Sequence, residues 1–244
     1  MSLRAAFRLC LMLLWFAVCA SLHLLVRRFV PSPWPQRLLG GIGWIAGARV
    51  RTNGPAPTAR TLIVANHVSW LDIPVLAGAT GCAFVAKDGL RGHPFMRWLC
   101  VENGTVFVDR DSKASVADQV GAMERAMQSH RPLTLFPEGT VGDGGQLLPF
   151  RSSLLKLAEQ PPMAITVQPV AIDYGRCASE FGWPQGETGP ANFLRLLGRK
   201  GTVAVTLHFL PALGEGQDRK QLTRNSHAAI AAVLAPSGVA RAGV

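Results

Sequence analysis

Hydrophobic positions along the chain fall into three regimes. From Leu9 to Val26 they run unbroken except for Ser21 and His23, and these 18 residues meet the length of a membrane-spanning helix. From 32 to 48 they thin to Trp34, Leu38, Leu39, Ile42, Trp44 and Ile45 among four glycines. This spacing predicts a second membrane-contacting helix with tryptophans at the interface. Gly43 and Gly47 stand four apart within it, which suits close helix packing. Asn53-Gly54-Pro55-Ala56-Pro57 ends the segment as a linker. From residue 60 on, short apolar runs alternate with helix-length segments. The pattern predicts strands at 61–65, 82–86, 105–108, 133–136, 165–172 and 202–210, and helices at 70–78, 93–100, 113–129, 151–159 and 217–234. Unbroken β-rich runs separated by helices predict an α/β fold, a mostly parallel sheet covered by helices on both faces. The expected organisation is an N-terminal membrane-anchoring helical segment over 1–52, a folded domain over 53–236 and a disordered tail over 237–244.

Charge sharpens this picture. The chain carries a net +10, with 48% hydrophobic and only 16% charged residues. No Asp or Glu precedes Asp72, whereas the first 71 residues hold eight arginines; the remainder holds 17 basic and 15 acidic side chains. The excess charge thus lies beside the most apolar stretch, which points to an anionic membrane surface rather than to nucleic acid. Arg4 and Arg8 precede the apolar run and Arg27, Arg28 and Arg37 follow it, an asymmetry that predicts a domain on the cytoplasmic side of the inner membrane. A retained anchor fits better than a cleaved leader, because the run is long and Phe16-Ala17-Val18 before Cys19 makes a poor lipoprotein cleavage site. The five cysteines form no C-x-x-C pair and read as reduced, buried thiols. Gly41-Ile42-Gly43-Trp44-Ile45-Ala46 imitates a dinucleotide fingerprint, but no strand precedes it. The six histidines are scattered without metal-ligand spacing, so no metal and no cofactor are expected.

Candidate chemistry gathers behind the predicted strands. Asn66-His67-Val68-Ser69-Trp70-Leu71-Asp72 places an imidazole and a carboxylate five residues apart where the run Thr61–Ala65 ends. On a regular helix the two would sit roughly 140° apart, so they pair only if the chain turns irregularly between them. In parallel sheets the chemistry lies in loops beyond the carboxyl ends of strands. Three more blocks stand at such ends: Gly104-Thr105-Val106-Phe107-Val108-Asp109-Arg110, Phe136-Pro137-Glu138-Gly139-Thr140 and Val167-Gln168-Pro169-Val170-Ala171-Ile172.

These four blocks, in this order over about residues 60 to 175, resemble the glycerolipid acyltransferase family, especially 1-acylglycerol-3-phosphate acyltransferases. The resemblance implies that 53–236 is an acyltransferase catalytic domain, moving a fatty acyl group from an acyl-ACP or acyl-CoA thioester to the free hydroxyl of 1-acylglycerol-3-phosphate, giving phosphatidic acid, without a covalent enzyme intermediate. His67 would take the hydroxyl proton and Asp72 would fix its tautomer, as the acid of a serine-protease triad does. The nucleophile belongs to the substrate, in keeping with a chain that has no G-x-S-x-G elbow. Backbone amides near Asn66 to Ser69 or around Gly139 are candidates to steady the oxyanion. By the same resemblance Arg110 would bind phosphate, and Glu138, Gly139 and Thr140 the acceptor. Lys87, directly after the predicted strand 82–86, is a further candidate at the mouth of the site, and Arg151 is a candidate replacement for a missing cation. One departure stands out. The basic pair usual after Glu-Gly-Thr is replaced by Val141-Gly142-Asp143-Gly144-Gly145. That substitution opens a second acceptor, lyso-ornithine lipid, whose head group is an amino acid. A non-catalytic lipid-binding module is the reading from another class, and intact His67 and Asp72 argue against it.

Overall fold

The computed structural model describes residues 1–87, 94–108, 131–159 and 164–235. Seven strands form one sheet in the order β1-β7-β6-β2-β5-β3-β4. They are β1 (Ala48–Asn53), β2 (Thr61–Ala65), β3 (Ala83–Lys87), β4 (Val106–Val108), β5 (Leu133–Leu135), β6 (Thr166–Asp173) and β7 (Val203–Phe209). Every residue of β2 and β5 is buried, as strands covered on both faces must be. The sheet is parallel from β6 through β2, β5 and β3 to β4, and antiparallel only between β6 and β7. One apolar layer joins the sheet to α1 (Leu3–Val26), α2 (Trp34–Ala46), α3 (Asp72–Thr80) and α7 (Gly189–Gly198). The opposite layer includes Leu155, Ala158 and Leu222, from the turn-and-helix 152–159 and from α8 (Arg219–Leu234). This is the expected α/β fold, with an apolar helix at its N-terminus.

Several boundaries differ from the expectation. Residues 48–53 belong to the sheet rather than to a helix and linker: β1 pairs in parallel with β7, from Ala48 opposite Val203 to Asn53 opposite His208. Five of its six residues are exposed, so no apolar pattern announces it. Its arginines guard the sheet edge against further pairing. The segment 151–159 divides into a 3-10 turn at Ser152–Leu155 and α5 at Lys156–Glu159. α4 (Pro94–Glu102) lies near its expected place, whereas α6 (Ala178–Phe181) and α7 were not anticipated. The expected helix 113–129 and the tail 237–244 lie outside the described residues.

The N-terminal helices pack onto the domain. α2 and α3 approach closely at Gly40 and Gly78, where a Cβ on Gly78 would stand 2.5 Å from the Gly40 Cα. Gly47 has another role than the expected packing one: it ends α2 in the left-handed conformation, φ 105°. α1 is long and apolar enough to cross a membrane. Yet it touches the domain along its whole length. Arg8 Nη1 donates to the carbonyls of Leu197 and Arg199 at one end, each at 3.1 Å. Phe16 meets Phe95 and Trp98 edge-on midway. At the other end His23 Nε2 lies 2.8 Å from Glu102, whose second oxygen is taken by Arg27. Leu3, Phe7, Leu14, Val18 and Leu25 repeat at four and seven residues and form an exposed apolar face. Between α1, α2 and α4 runs a cleft of about 350 Å³ lined mostly by apolar side chains, among them Phe16, Leu38, Phe84 and Trp98.

Candidate active site

The loop Asn66–Leu71 leaves the carboxyl end of β2 and returns into α3 at Asp72. Asn66 fixes its exit by bridging to β6: Ile172 N–H donates to its Oδ1 at 2.7 Å, and its Nδ2 donates to the Ile172 carbonyl at 3.0 Å. The irregular turn then brings His67 Nδ1 to 2.8 Å from Asp72 Oδ2. The same oxygen accepts the backbone N–H groups of Val68 at 2.7 Å and Ser69 at 2.8 Å. Asp72 Oδ1 accepts the Tyr174 hydroxyl at 2.5 Å. Asp72 has no exposed surface, so four donors replace its water. It also occupies the first turn of α3, where the positive end of the helix dipole favours a carboxylate. With Nδ1 committed to Asp72, Nε2 is left to meet a ligand, which is the tautomer a general base requires.

Phe136, at the end of β5, stacks on the imidazole with centroids 4.1 Å apart, holding its plane. Two residues on, buried Glu138 accepts the His67 N–H at 2.7 Å and the Leu148 N–H at 3.3 Å. Burial pushes its carboxyl up to about 7, against the lowering effect of those two N–H groups. Gly142 N–H closes the frame by donating to the His67 carbonyl at 2.8 Å. A buried carboxylate thus ties the 136–148 loop to the backbone of the imidazole.

A cavity of about 640 Å³ opens on His67, Glu138 and Tyr174. Its outer walls are Gly144, Gln146, Asp173, Arg176 and the last turn of α8. His67, Asp72 and Glu138 are therefore brought together. Gly139 forms the turn after β5 at φ 73°, while Thr140 and Arg151 are exposed and stand outside the cavity wall. Lys87 ends β3; its side chain and Arg110 lie outside the described residues. Four of the amides expected to steady an oxyanion are already engaged: Val68 and Ser69 by Asp72, His67 by Glu138, and Gly139 by the Phe136 carbonyl at 3.1 Å. Sequence reasoning missed Asn66 as a bridge, Tyr174 as a donor, and Asp173 and Arg176 as cavity walls. The block ending at Ile172 stopped two residues short of Tyr174.

Comparison with known proteins gives this geometry its context. The acyltransferase family matches residues 48–173. The lyso-ornithine lipid O-acyltransferase of Rhizobium meliloti is 33% identical over 224 residues, 85% of this chain and 75% of that protein. The protein of the same description from Pseudomonas aeruginosa is 35% identical, over 82% of this chain and 76% of its own length. A 1-acyl-sn-glycerol-3-phosphate acyltransferase of Helicobacter pylori is 28% identical over 70% of this chain and 72% of its own. The crystal structure of the 1-acyl-sn-glycerophosphate acyltransferase of Thermotoga maritima shares the fold, with a TM-score of 0.59 at 21% identity over 94% of this chain and 97% of that one. With the family match covering β1 to the end of β6, and with it His67, Asp72 and Glu138, the chain belongs to the acyltransferase family.

Proposed function

We propose that this enzyme transfers a fatty acyl group from a thioester, acyl-ACP or acyl-CoA, to the hydroxyl of lyso-ornithine lipid at the cytoplasmic face of the inner membrane. The observation that carries the chemistry is the buried His67–Asp72 pair at 2.8 Å, opening onto a cavity wide enough for a lipid head group. His67 Nε2 takes the acceptor's hydroxyl proton as that oxygen bonds to the thioester carbonyl carbon. The resulting oxyanion collapses, the carbon–sulfur bond breaks, and the imidazolium returns the proton to the departing thiolate. Asp72 keeps the imidazole oriented and offsets its transient positive charge. The apolar cleft beside α1 suits a fatty chain, and the exposed face of α1 suits the acyl region of a bilayer.

The composition of the cavity's outer wall supports this choice of acceptor. Asp173 and the carbonyl end of the 16-residue α8 both attract positive charge, and Arg176 supplies a cation beside them. An ornithine head group carries an ammonium and a carboxylate, which match that pairing. Relatives named for lyso-ornithine lipid, 33% and 35% identical over more than four fifths of this chain, support the same choice. A second reading, transfer to 1-acylglycerol-3-phosphate to give phosphatidic acid, is favoured by the block that ends in Arg110 and by relatives of that name. Presenting purified enzyme with labelled acyl thioester and equal amounts of the two lysolipids separates them. Label is expected in ornithine lipid; label in phosphatidic acid instead would reverse the assignment.

A further inference from the structure

We propose that Tyr174 is a positioning residue of the catalytic pair, holding Asp72 from the side opposite His67 and restraining how strongly Asp72 supports the imidazolium. The two oxygens of Asp72 are unequally loaded. Oδ2 accepts from His67, Val68 and Ser69, whereas Oδ1 has one donor among the described residues, the Tyr174 hydroxyl at 2.5 Å. That hydroxyl comes from a different strand end, 102 residues away in the chain. It is aimed by two contacts: Asn66 locks the preceding Ile172 to the catalytic loop, and Phe181 stacks on the phenol ring with centroids 5.1 Å apart. Tyr174 also lines the cavity, so the head-group side of the site is connected directly to the acid.

A donor to a carboxylate draws off part of its negative charge. Without the phenol, Asp72 would concentrate its charge on His67, raise the imidazole's affinity for a proton, and gain room to turn. Among the described residues the other titratable and charged neighbours are Glu138, which faces the pair from the β5 loop, Asp173 with His208 beside it, Arg176 along the cavity wall, Cys177, and Arg199 over the far ring of Phe181. All of them are unchanged in a Tyr174→Phe variant, so their effects cancel in the comparison.

The inference rests on acyl transfer through His67 and is independent of which lysolipid accepts. Tyr174→Phe keeps the ring and its packing. Its kcat/KM plateau is expected to fall about tenfold, with the acid limb of the pH profile moved up by about half a unit or more. A Phe181→Leu variant weakens the aim of the hydroxyl without removing it and is expected to move that limb in the same direction by a smaller amount. Equal losses at every pH for Tyr174→Phe, with an unmoved limb, would reduce Tyr174 to a packing residue. A second readout needs no substrate. Tyr174 is the chain's single tyrosine, so tyrosinate absorbance reports on it alone. Burial and the adjacent carboxylate hold its proton well above the ordinary 10. The folded protein is expected to show no tyrosinate at a pH where the unfolded chain shows it fully. Ionisation near 10 in the folded state would contradict the contact itself. If the contact holds but His67→Ala retains transfer, the failure lies in the base assignment and not in the placement of Tyr174.

Discussion

At the scale of single residues, the site is defined by which groups spend their hydrogen bonds on one another. Asp72 is useful because it is saturated: three donors fix its position, and the fourth is the imidazole it orients. Asp72→Asn keeps the shape but offers only one accepting oxygen and adds donors. By analogy with the same change in other acid-oriented histidines, kcat should fall about 10³- to 10⁴-fold. A loss under tenfold would mean that Asp72 is not what aligns His67. Glu138 gives a pH-dependent prediction. Its folded carboxyl titrates near 7 rather than the ordinary 4.5, so the folded state binds its proton more tightly. The associated stability is fully present below the unfolded value and is lost as pH rises through about 7. Glu138→Gln removes that titration. Denaturant unfolding from pH 4 to 8 should therefore show a flatter profile in the variant, by on the order of 3 kcal/mol at most, from ~1.4 kcal/mol per unit. An unchanged slope would assign the titration elsewhere. His67, Asp72 and Glu138 were legible in the sequence because their types and spacing recur as short local blocks. Tyr174 was not. Its partner lies 102 residues away, and only the β2–β6 pairing makes them neighbours.

At the scale of elements, the central strands were readable because burial on both faces favours apolar runs, as in Leu62–Ala65 of β2 and Val170–Ile172 of β6. β1 escaped for the opposite reason: its residues after Ala48 face solvent, and its strand character comes from pairing with β7. α7 escaped because Gly189 and Pro190 open it, and its buried stripe is only Asn192, Leu196 and Leu197. The same scale governs head-group choice, since Asp173 ends β6 while α8 presents its carbonyl end to the cavity. Asp173→Asn should raise KM for lyso-ornithine lipid about fivefold, the effect of a partly exposed charge pair, and leave kcat within about twofold. Steady-state kinetics on both lysolipids check this; equal effects on both acceptors would remove Asp173 from head-group recognition. The α2–α3 contact is stricter. Gly78→Ala would place a methyl group 2.5 Å from the Gly40 backbone and should cost about 1–3 kcal/mol of unfolding free energy.

For the molecule as a whole, the apolar run from Leu9 to Val26 specifies a helix without specifying how it meets a bilayer. Length and hydropathy are satisfied equally by a helix that crosses the bilayer and by one that lies in it. Arg8 at one end and His23 with Arg27 at the other tie α1 along the domain. An apolar face of Leu14, Val18 and Leu25 is thereby turned outward beside the apolar cleft. Replacing these three with lysine should move the protein from the membrane to the soluble fraction while leaving the fold intact. Continued sedimentation with membranes in high salt would transfer the attachment to α2 and Trp44. Laid in the interface, α1 would keep the cleft and the His67 cavity at the level of both lipid substrates.

The central claim is that His67, oriented by Asp72, removes the proton from the acceptor's own hydroxyl. Its most direct test is transfer of labelled acyl groups from one thioester to lyso-ornithine lipid by wild type and by His67→Ala, both at saturating substrate and confirmed as folded. The account predicts a loss of at least ~10³-fold in kcat, down to the uncatalysed background, with thioester binding retained. A variant that keeps transfer within tenfold of wild type would contradict it.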